Sequence, residues 1–323
     1  MSITKLLKES QLKEAAAIIK AGGTVAFRTE TVYGLGADAG NPDAVKKIYL
    51  AKARPPTNPL IIHFHSIAHL RSHFPNTPDD ILRLLTRVKQ ALTIVLPLPE
   101  GSTIAPIALA GNKTVAVRIP ACKLARKFIK LCGTPLAAPS ANTSTRPSPT
   151  RWTDVYDDLN QRIDAIIMSK PSTVGLESTV VFPNNGTLSV LRQGGVNLLE
   201  LSRKCNLPVE LNSDETKTVR SPGTKFKHYT PSVPLVVLAD PTEIRTRAEQ
   251  ESAVILTRTQ NQKKYPGLKV IPLGKTAREV ASNLFAAIRD HEKTSALIIV
   301  EAMPNTDEFS SIRERLEKAQ GQG

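Results

Sequence analysis

At 323 residues, with 41% hydrophobic side chains, the chain is longer than one ordinary core accommodates, so two globular domains are expected. No apolar run approaches the roughly 20 residues of a membrane helix, so no membrane partner is expected, and three scattered cysteines, Cys122, Cys132 and Cys205, are too few for a disulfide framework or a zinc knuckle. The formal net charge of +14 calls for an anionic partner, either a phosphorylated ligand or a nucleic acid backbone.

Ser2 to Lys20 reads as an amphipathic helix built on Leu6, Leu7, Leu12, Ala15, Ala16, Ile18 and Ile19, not as a signal peptide, and a cytoplasmic protein is expected. Gly22-Gly23 stops that helix and opens a strand over Thr24–Phe27. The following loop, Arg28 to Gly36, packs hydroxyls, a carboxylate and two glycines into nine residues. Gly34 and Gly36 would let backbone approach a ligand, with Thr29 and Thr31 offering hydrogen bonds. A helix over Asp43–Ala51 then runs into a hinge that carries Lys52 and Arg54. Pro55, Pro56 and Pro59 cannot continue the helix, and Leu60-Ile61-Ile62 follows as a buried strand ending at His63. Stiff backbone holding two cations loses little entropy when a phosphate arrives.

His65, His69 and His73 are spaced i, i+4 if Ile67–His73 is helical, but no carboxylate or cysteine joins them, so no metal held by protein side chains is expected. A helix over Asp79–Lys89 and a strand over Leu92–Leu96 precede the strand Thr114–Pro120, which places Thr114, Ala116 and Arg118 on one face. An arginine on the inner face of a strand needs an anion. Residues 101–150 carry seven basic side chains and no acidic ones. After a helix over Leu124–Cys132, the apolar run from Thr134 opens into the small-residue loop Ser140-Ala141-Asn142, whose two polar side chains can point at one ligand. Gly175–Val181 and Leu188–Gly195 form a hairpin turned by Asn184-Asn185-Gly186, with Arg192 at the end of its second strand. Short apolar strands at Leu235–Leu238, Ala253–Leu256, Val270–Leu273 and Leu297–Val300 alternate with helical segments such as Thr276–Asp290, which argues for a small parallel α/β unit. That unit shows no catalytic constellation, which suits a lid or interaction role.

Taken together, FRTETVYGLGADA, AKARPPTNPLIIH, TVAVRIP, PLAAPSANTS, GLESTVV and VLRQGG resemble, in order and spacing, the YrdC-like family of threonylcarbamoyl-AMP synthases. The resemblance spans roughly residues 10 to 200, and Ser221–Pro231 looks like the linker of the longer, two-domain members. Arg28, Arg87–Ala91 and Met168–Lys170 depart from the family's usual residues.

The resemblance implies an α/β fold: a YrdC-like twisted mixed sheet with helices and a basic concave cavity over 1–207, a linker or lid over 208–234, and a smaller Rossmann-like parallel α/β domain over 235–323. It implies a nucleotidyltransferase that joins L-threonine, bicarbonate and ATP, with Mg2+ accompanying the ATP, and a downstream threonylcarbamoyl transferase acting on tRNA. Lys52, Arg54, Ser140 and Asn142 would be catalytic. ATP would meet Arg54, Asn58, Thr114, Ser140, Ser148, Arg192 and Tyr229, and threonine would meet Thr31, His63, Arg118, Ala138 and Ser178. The alternative is a non-catalytic module holding tRNA or double-stranded RNA on the basic concave face.

Overall fold

The computed structural model describes residues 3–88, 91–211 and 229–320. The first eleven strands are β1 (Lys5–Lys8), β2 (Val25–Arg28), β3 (Tyr33–Asp38), β4 (Ile61–His63), β5 (Leu92–Pro97), β6 (Thr114–Arg118), β7 (Leu136–Ala137), β8 (Ala165–Met168), β9 (Thr179–Asn184), β10 (Thr187–Arg192) and β11 (Val209–Leu211). Among the described residues they form one mixed sheet in the order β1-β8-β2-β3-β7-β4-β6-β5-β9-β10-β11. Four further strands, β12 (Leu235–Leu238), β13 (Val254–Thr257), β14 (Val270–Pro272) and β15 (Ile298–Glu301), form a second sheet in the order β12-β15-β13-β14, parallel throughout. This is the mixed sheet that the resemblance implies, together with the smaller parallel α/β unit expected from the alternation of strands and helices.

Two local assignments differ from the sequence reading. The N-terminal segment is not one helix: Lys5–Lys8 pairs in parallel with β8, and the helix begins only at Leu12. Leu7 is buried at 3% exposure while Leu6 is 40% exposed, the alternation of an edge strand rather than a helical stripe. From Leu12 onward the helical face is real, with Leu12, Ala15, Ala16 and Ile19 packing into a cluster shared with the helix Lys123–Cys132. The second difference is Val209–Leu211, expected to open the linker, which instead adds a parallel edge strand beside β10. Of the remaining linker, residues 212–228, including Lys225, Lys227 and His228, lie outside the described residues, as do Lys89 and Gln90.

The two sheets meet through backbone contact and charge. A Cβ on Gly175, whose φ is +81°, would sit 2.2 Å from the Ala281 carbonyl oxygen, so the helix Ala277–His291 rests directly on that turn. Around it Arg289 bonds the Asp158 carboxylate at 2.8 Å and the Pro147 carbonyl at 3.0 Å, Arg146 grips Glu292 with both guanidinium ends, and Arg151 pairs with Asp290 at 2.7 Å. Asp158 also accepts from the Thr143 backbone N–H, so Arg289 of the second unit holds the loop after β7 directly at Pro147 and indirectly through Asp158.

Candidate active site

The cationic hinge is built by how the helix Pro42–Lys52 starts and stops. The Asn41 side chain accepts the N–H groups of Asp43 and Ala44, and at the other end Ala53 adopts a left-handed conformation with φ 49°. That reversal turns Lys52 inward and leaves Arg54 beyond it. Lys52, 1% exposed, donates from Nζ to the backbone carbonyls of Ser140, at 2.6 Å, and Asn142. Burial, and after it the neighbouring Arg54, hold the Lys52 ammonium well below its ordinary pKa. Arg54 donates from Nε to the Asn58 carbonyl at 3.3 Å and from Nη2 to the Pro59 carbonyl at 3.0 Å, so the proline-rich turn fixes its guanidinium.

Beside the hinge, β4 and β6 pair in parallel with His63 opposite Arg118. Arg118 does have an anion, and it is internal: Nη2 donates to Glu30 Oε1 at 2.5 Å and to Thr31 Oγ1 at 2.8 Å. Its Nε is buried with no hydrogen-bond partner. Burial opposes ionisation of Glu30, but Arg118 and the N–H of Cys122, 3.1 Å from Oε2, outweigh it and keep the carboxyl below its usual range. Thr29 and Thr31 share a hydroxyl hydrogen bond of 2.7 Å in the same layer.

His63 is 3% exposed, and burial, with Arg118 next, pushes its pKa down to about 3. It is therefore neutral at physiological pH. As the unfolded imidazole takes its proton near pH 6.5 and the folded one only near 3, His63 makes stability fall as pH drops through that window, by up to about 1.4 kcal/mol per pH unit. Denaturant unfolding from pH 7 to pH 4 should show a shallower decline in His63→Gln than in the wild type; identical slopes would contradict this.

The opposite wall comes from the loop after β7 and from the β9/β10 hairpin. Asn142 donates from Nδ2 to the carbonyls of Thr143 and Arg146, leaving Oδ1 buried with no hydrogen-bond partner. Ser148 donates to Glu177, and Ser178 shares a hydroxyl hydrogen bond of 2.7 Å with Thr93. A register shift between Val190 and Arg192 interrupts the hairpin ladder. Such a bulge re-aims the strand end, and Arg192 is 6% exposed, donating to the Ser178 carbonyl at 2.7 Å.

The second unit reaches this wall from behind, without adding a side chain to the cavity lining. Arg315, 0% exposed, donates to Glu177 at 3.1 Å and to the Gln193 carbonyl at 2.8 Å, and its guanidinium lies over the Tyr229 ring at 5.4 Å. Tyr229 also stacks on Phe285 with ring centroids 5.3 Å apart, and the next backbone N–H, of Thr230, donates to the Thr145 carbonyl.

Most of these groups border one cavity. Thr31, His63, Arg118, Ala138 and Ser178 line it together with Arg54, Ser140, Asn142, Ser148, Arg192 and Tyr229, as do Thr29, Gly34, Arg146 and Glu177. Three expected site residues do not line it. Lys52 and Asn58 stand behind the wall, the first holding the Ser140–Asn142 loop and the second supplying a carbonyl to Arg54. Thr114 shares a strand face with Arg118 but lies four residues away, about 13 Å along an extended strand. Gly36 also serves packing, because a Cβ there would meet the Phe27 ring at 2.8 Å.

The other sequence candidates resolve into local structure. His65 and His69 stack at 4.3 Å, His69 and His73 pack on Phe64, and no group of three His, Cys, Asp or Glu suited to a metal occurs among the described residues. The basic block divides: Arg118 and Arg146 are cavity residues paired to Glu30 and Glu292, whereas Lys123, Arg126, Lys127 and Lys130 are exposed on one helix. Glu30, Glu177 and Arg315 were not assigned from the sequence. For Arg315 a signal existed, since it falls on the same helical face as Ile312, Leu316 and Ala319.

Comparison with known proteins gives the same layout. Residues 17–194 match the Sua5/YciO/YrdC family model described as telomere recombination, and residues 191–321 match the C-terminal domain model of threonylcarbamoyl-AMP synthase. The chain is 37% identical to a threonylcarbamoyl-AMP synthase of Bacillus subtilis over 97% of this chain and 94% of that one. It is 35% identical to one of Pyrococcus abyssi over 99% and 97%. The crystal structure of P. abyssi Sua5 complexed with L-threonine superposes with a TM-score of 0.88 at 34% identity, covering 99% of this chain and 98% of that one. The chain thus belongs to the two-domain, Sua5-type family of threonylcarbamoyl-AMP synthases.

Proposed function

We propose that this enzyme is a nucleotidyltransferase that joins L-threonine, bicarbonate and ATP into threonylcarbamoyl-AMP and pyrophosphate. The observation that carries the reading is that the two sets of side chains, one suited to an amino acid and one to a polyphosphate, line a single cavity. The threonine amine and bicarbonate condense to a carbamate with loss of water. A carbamate oxygen then attacks the α-phosphorus, and the bond to pyrophosphate breaks. Positioning, water exclusion and charge neutralisation suffice for such a step.

In this reading Arg118 meets the threonine carboxylate through its unpartnered Nε, while Thr31, neutral His63, Ala138 and Ser178 surround the side chain and amine. Arg54 and Arg192 take the charge of the departing pyrophosphate, with Ser140, Asn142, Ser148 and Tyr229 along the nucleotide. Mg2+ would arrive with ATP, because it keeps several waters and binds mainly through phosphates. Asn142 Oδ1, an unpartnered oxygen on the wall, fits a contact to that hydrated ion or to the nucleotide. Lys52 and Asn58 act by positioning the loop and Arg54. The product would pass to an enzyme that transfers the threonylcarbamoyl group to tRNA. A module that only holds RNA is not favoured, since a basic cradle would need no amino-acid pocket and the full-length relatives are named as synthases.

Purified chain incubated with threonine, labelled bicarbonate and ATP should yield a labelled adenylate resolved by chromatography; its absence from folded protein would refute the activity. Serine lacks one methyl contact against the pocket, worth about 1 kcal/mol. Its kcat/KM should therefore be about fivefold below that of threonine, and equal values would remove Ala138 and its neighbours as the specificity wall.

A further inference from the structure

Across the Glu30–Arg118 pair from the catalytic cavity lies a second, solvent-open cleft. Its charged lining is Arg28, Lys123, Lys170 and Arg278, with the carboxylates Glu9 and Glu30. Glu30 is committed to Arg118 and to the Cys122 N–H, and Glu9 accepts from the Ser169 hydroxyl. Cations outnumber carboxylates in this lining, and Glu30 is already paired with Arg118. Arg28 Nε is buried with no hydrogen-bond partner. The cleft floor, Ala121 to Leu124, is the start of the helix Lys123–Cys132, which has no side-chain cap and no acidic residue in its first turn, but a lysine at its first position. Glu30 already meets the N–H of the cap residue Cys122, and an anion bound by Lys123 would add to it at the positive end of the helix dipole. None of these side chains has a part in the reaction above.

We propose that this cleft is a second anion site that takes a phosphate-bearing ligand between the two domains, through Arg28, Lys123 and Lys170 on one side and Arg278 on the other. Arg278 comes from the helix that rests on Gly175, so occupancy would tie the second unit to the first. The site is linked to the catalytic cavity through Glu30, which lines the cleft and pairs with Arg118 on the cavity wall. Free polyphosphates and the phosphates of an RNA strand share the required chemistry.

Calorimetric titration of the full chain with tripolyphosphate should show two binding events, one of them in the catalytic cavity as read above. Arg28→Gln/Lys170→Gln should weaken one event at least tenfold and leave the other, while Arg54→Ala should do the converse. Lys123→Gln, an exposed change with little consequence for folding, should weaken the same event as the double variant. A single event in the wild type that Arg54→Ala removes, or two events untouched by all of Arg28, Lys123 and Lys170, would overturn the proposal even if the catalytic reading stands. In the Arg54→Ala protein, a short single-stranded RNA that displaces tripolyphosphate would identify RNA as the source of the phosphates. Failure to displace it, with tripolyphosphate still bound, would identify a free polyphosphate.

Discussion

Replacing Lys52 by methionine should lower the rate of adenylate formation by at least about a hundredfold while leaving a folded protein. Lys52 does not face the cavity, so the loss comes from geometry. Its ammonium binds the carbonyls of both Ser140 and Asn142, which sets the loop that presents those side chains to the nucleotide. Methionine fills the space but leaves two buried acceptors unpaired, at about 1–3 kcal/mol each, and the loop will move to find new donors. A displacement on the order of 1 Å in a positioned group is enough to cost about two orders of magnitude. Arginine should not restore the rate, because a planar fork cannot replace a compact ammonium between two carbonyls. The measurement is kcat in Lys52→Met and Lys52→Arg; near-wild-type kcat in either would show that the loop holds its position without this contact.

Arg315→Ala should destabilise the protein by about 3–5 kcal/mol, although Arg315 lies far along the chain from the catalytic unit. The substitution strands Glu177, which is buried on the cavity wall with Arg315 as its closest guanidinium. Burial acts to raise the Glu177 pKa, but Arg315 and then Arg192 outweigh it and hold the carboxyl low. A depressed carboxyl contributes stability above its unfolded pKa and loses it as pH falls, so the cost of Arg315→Ala should be larger at pH 7 than at pH 4. Adding Glu177→Gln should recover much of the loss, since the stranded charge is then gone. Denaturant unfolding of the two single variants and the double variant tests this; additive losses would mean that Arg315 acts through packing on Tyr229 alone.

The sequence carried the local geometry of the site well. Three prolines after Lys52-x-Arg54 announce a stiff turn, and the turn does hold Arg54 through the carbonyls of Asn58 and Pro59. Alternation correctly set Arg118 on an inner face, but a strand pattern cannot say which acid will come to it, and Glu30 stands 88 positions away in sequence. Thr114 shows the companion error, since a shared face does not mean a shared end. Leu6 and Leu7 fitted a helical stripe until β8 supplied a partner strand, and Val209–Leu211 became a strand only because β10 offered an open edge. Pairing of that kind depends on distant residues and leaves little local trace. Arg315 differs, because its position on the apolar face of its helix was visible, and a buried arginine always implies a partner.

The central claim, that one cavity holds threonine and ATP together and that Arg54 serves the pyrophosphate end, is tested most directly by exchange of labelled pyrophosphate into ATP. The wild type should exchange only when L-threonine and bicarbonate are both present. Arg54→Ala should weaken ATP by at least about 1.5 kcal/mol, the scale of a charge-assisted contact, and slow exchange accordingly. Exchange that proceeds without threonine, or that is untouched by Arg54→Ala in folded protein, would contradict the account.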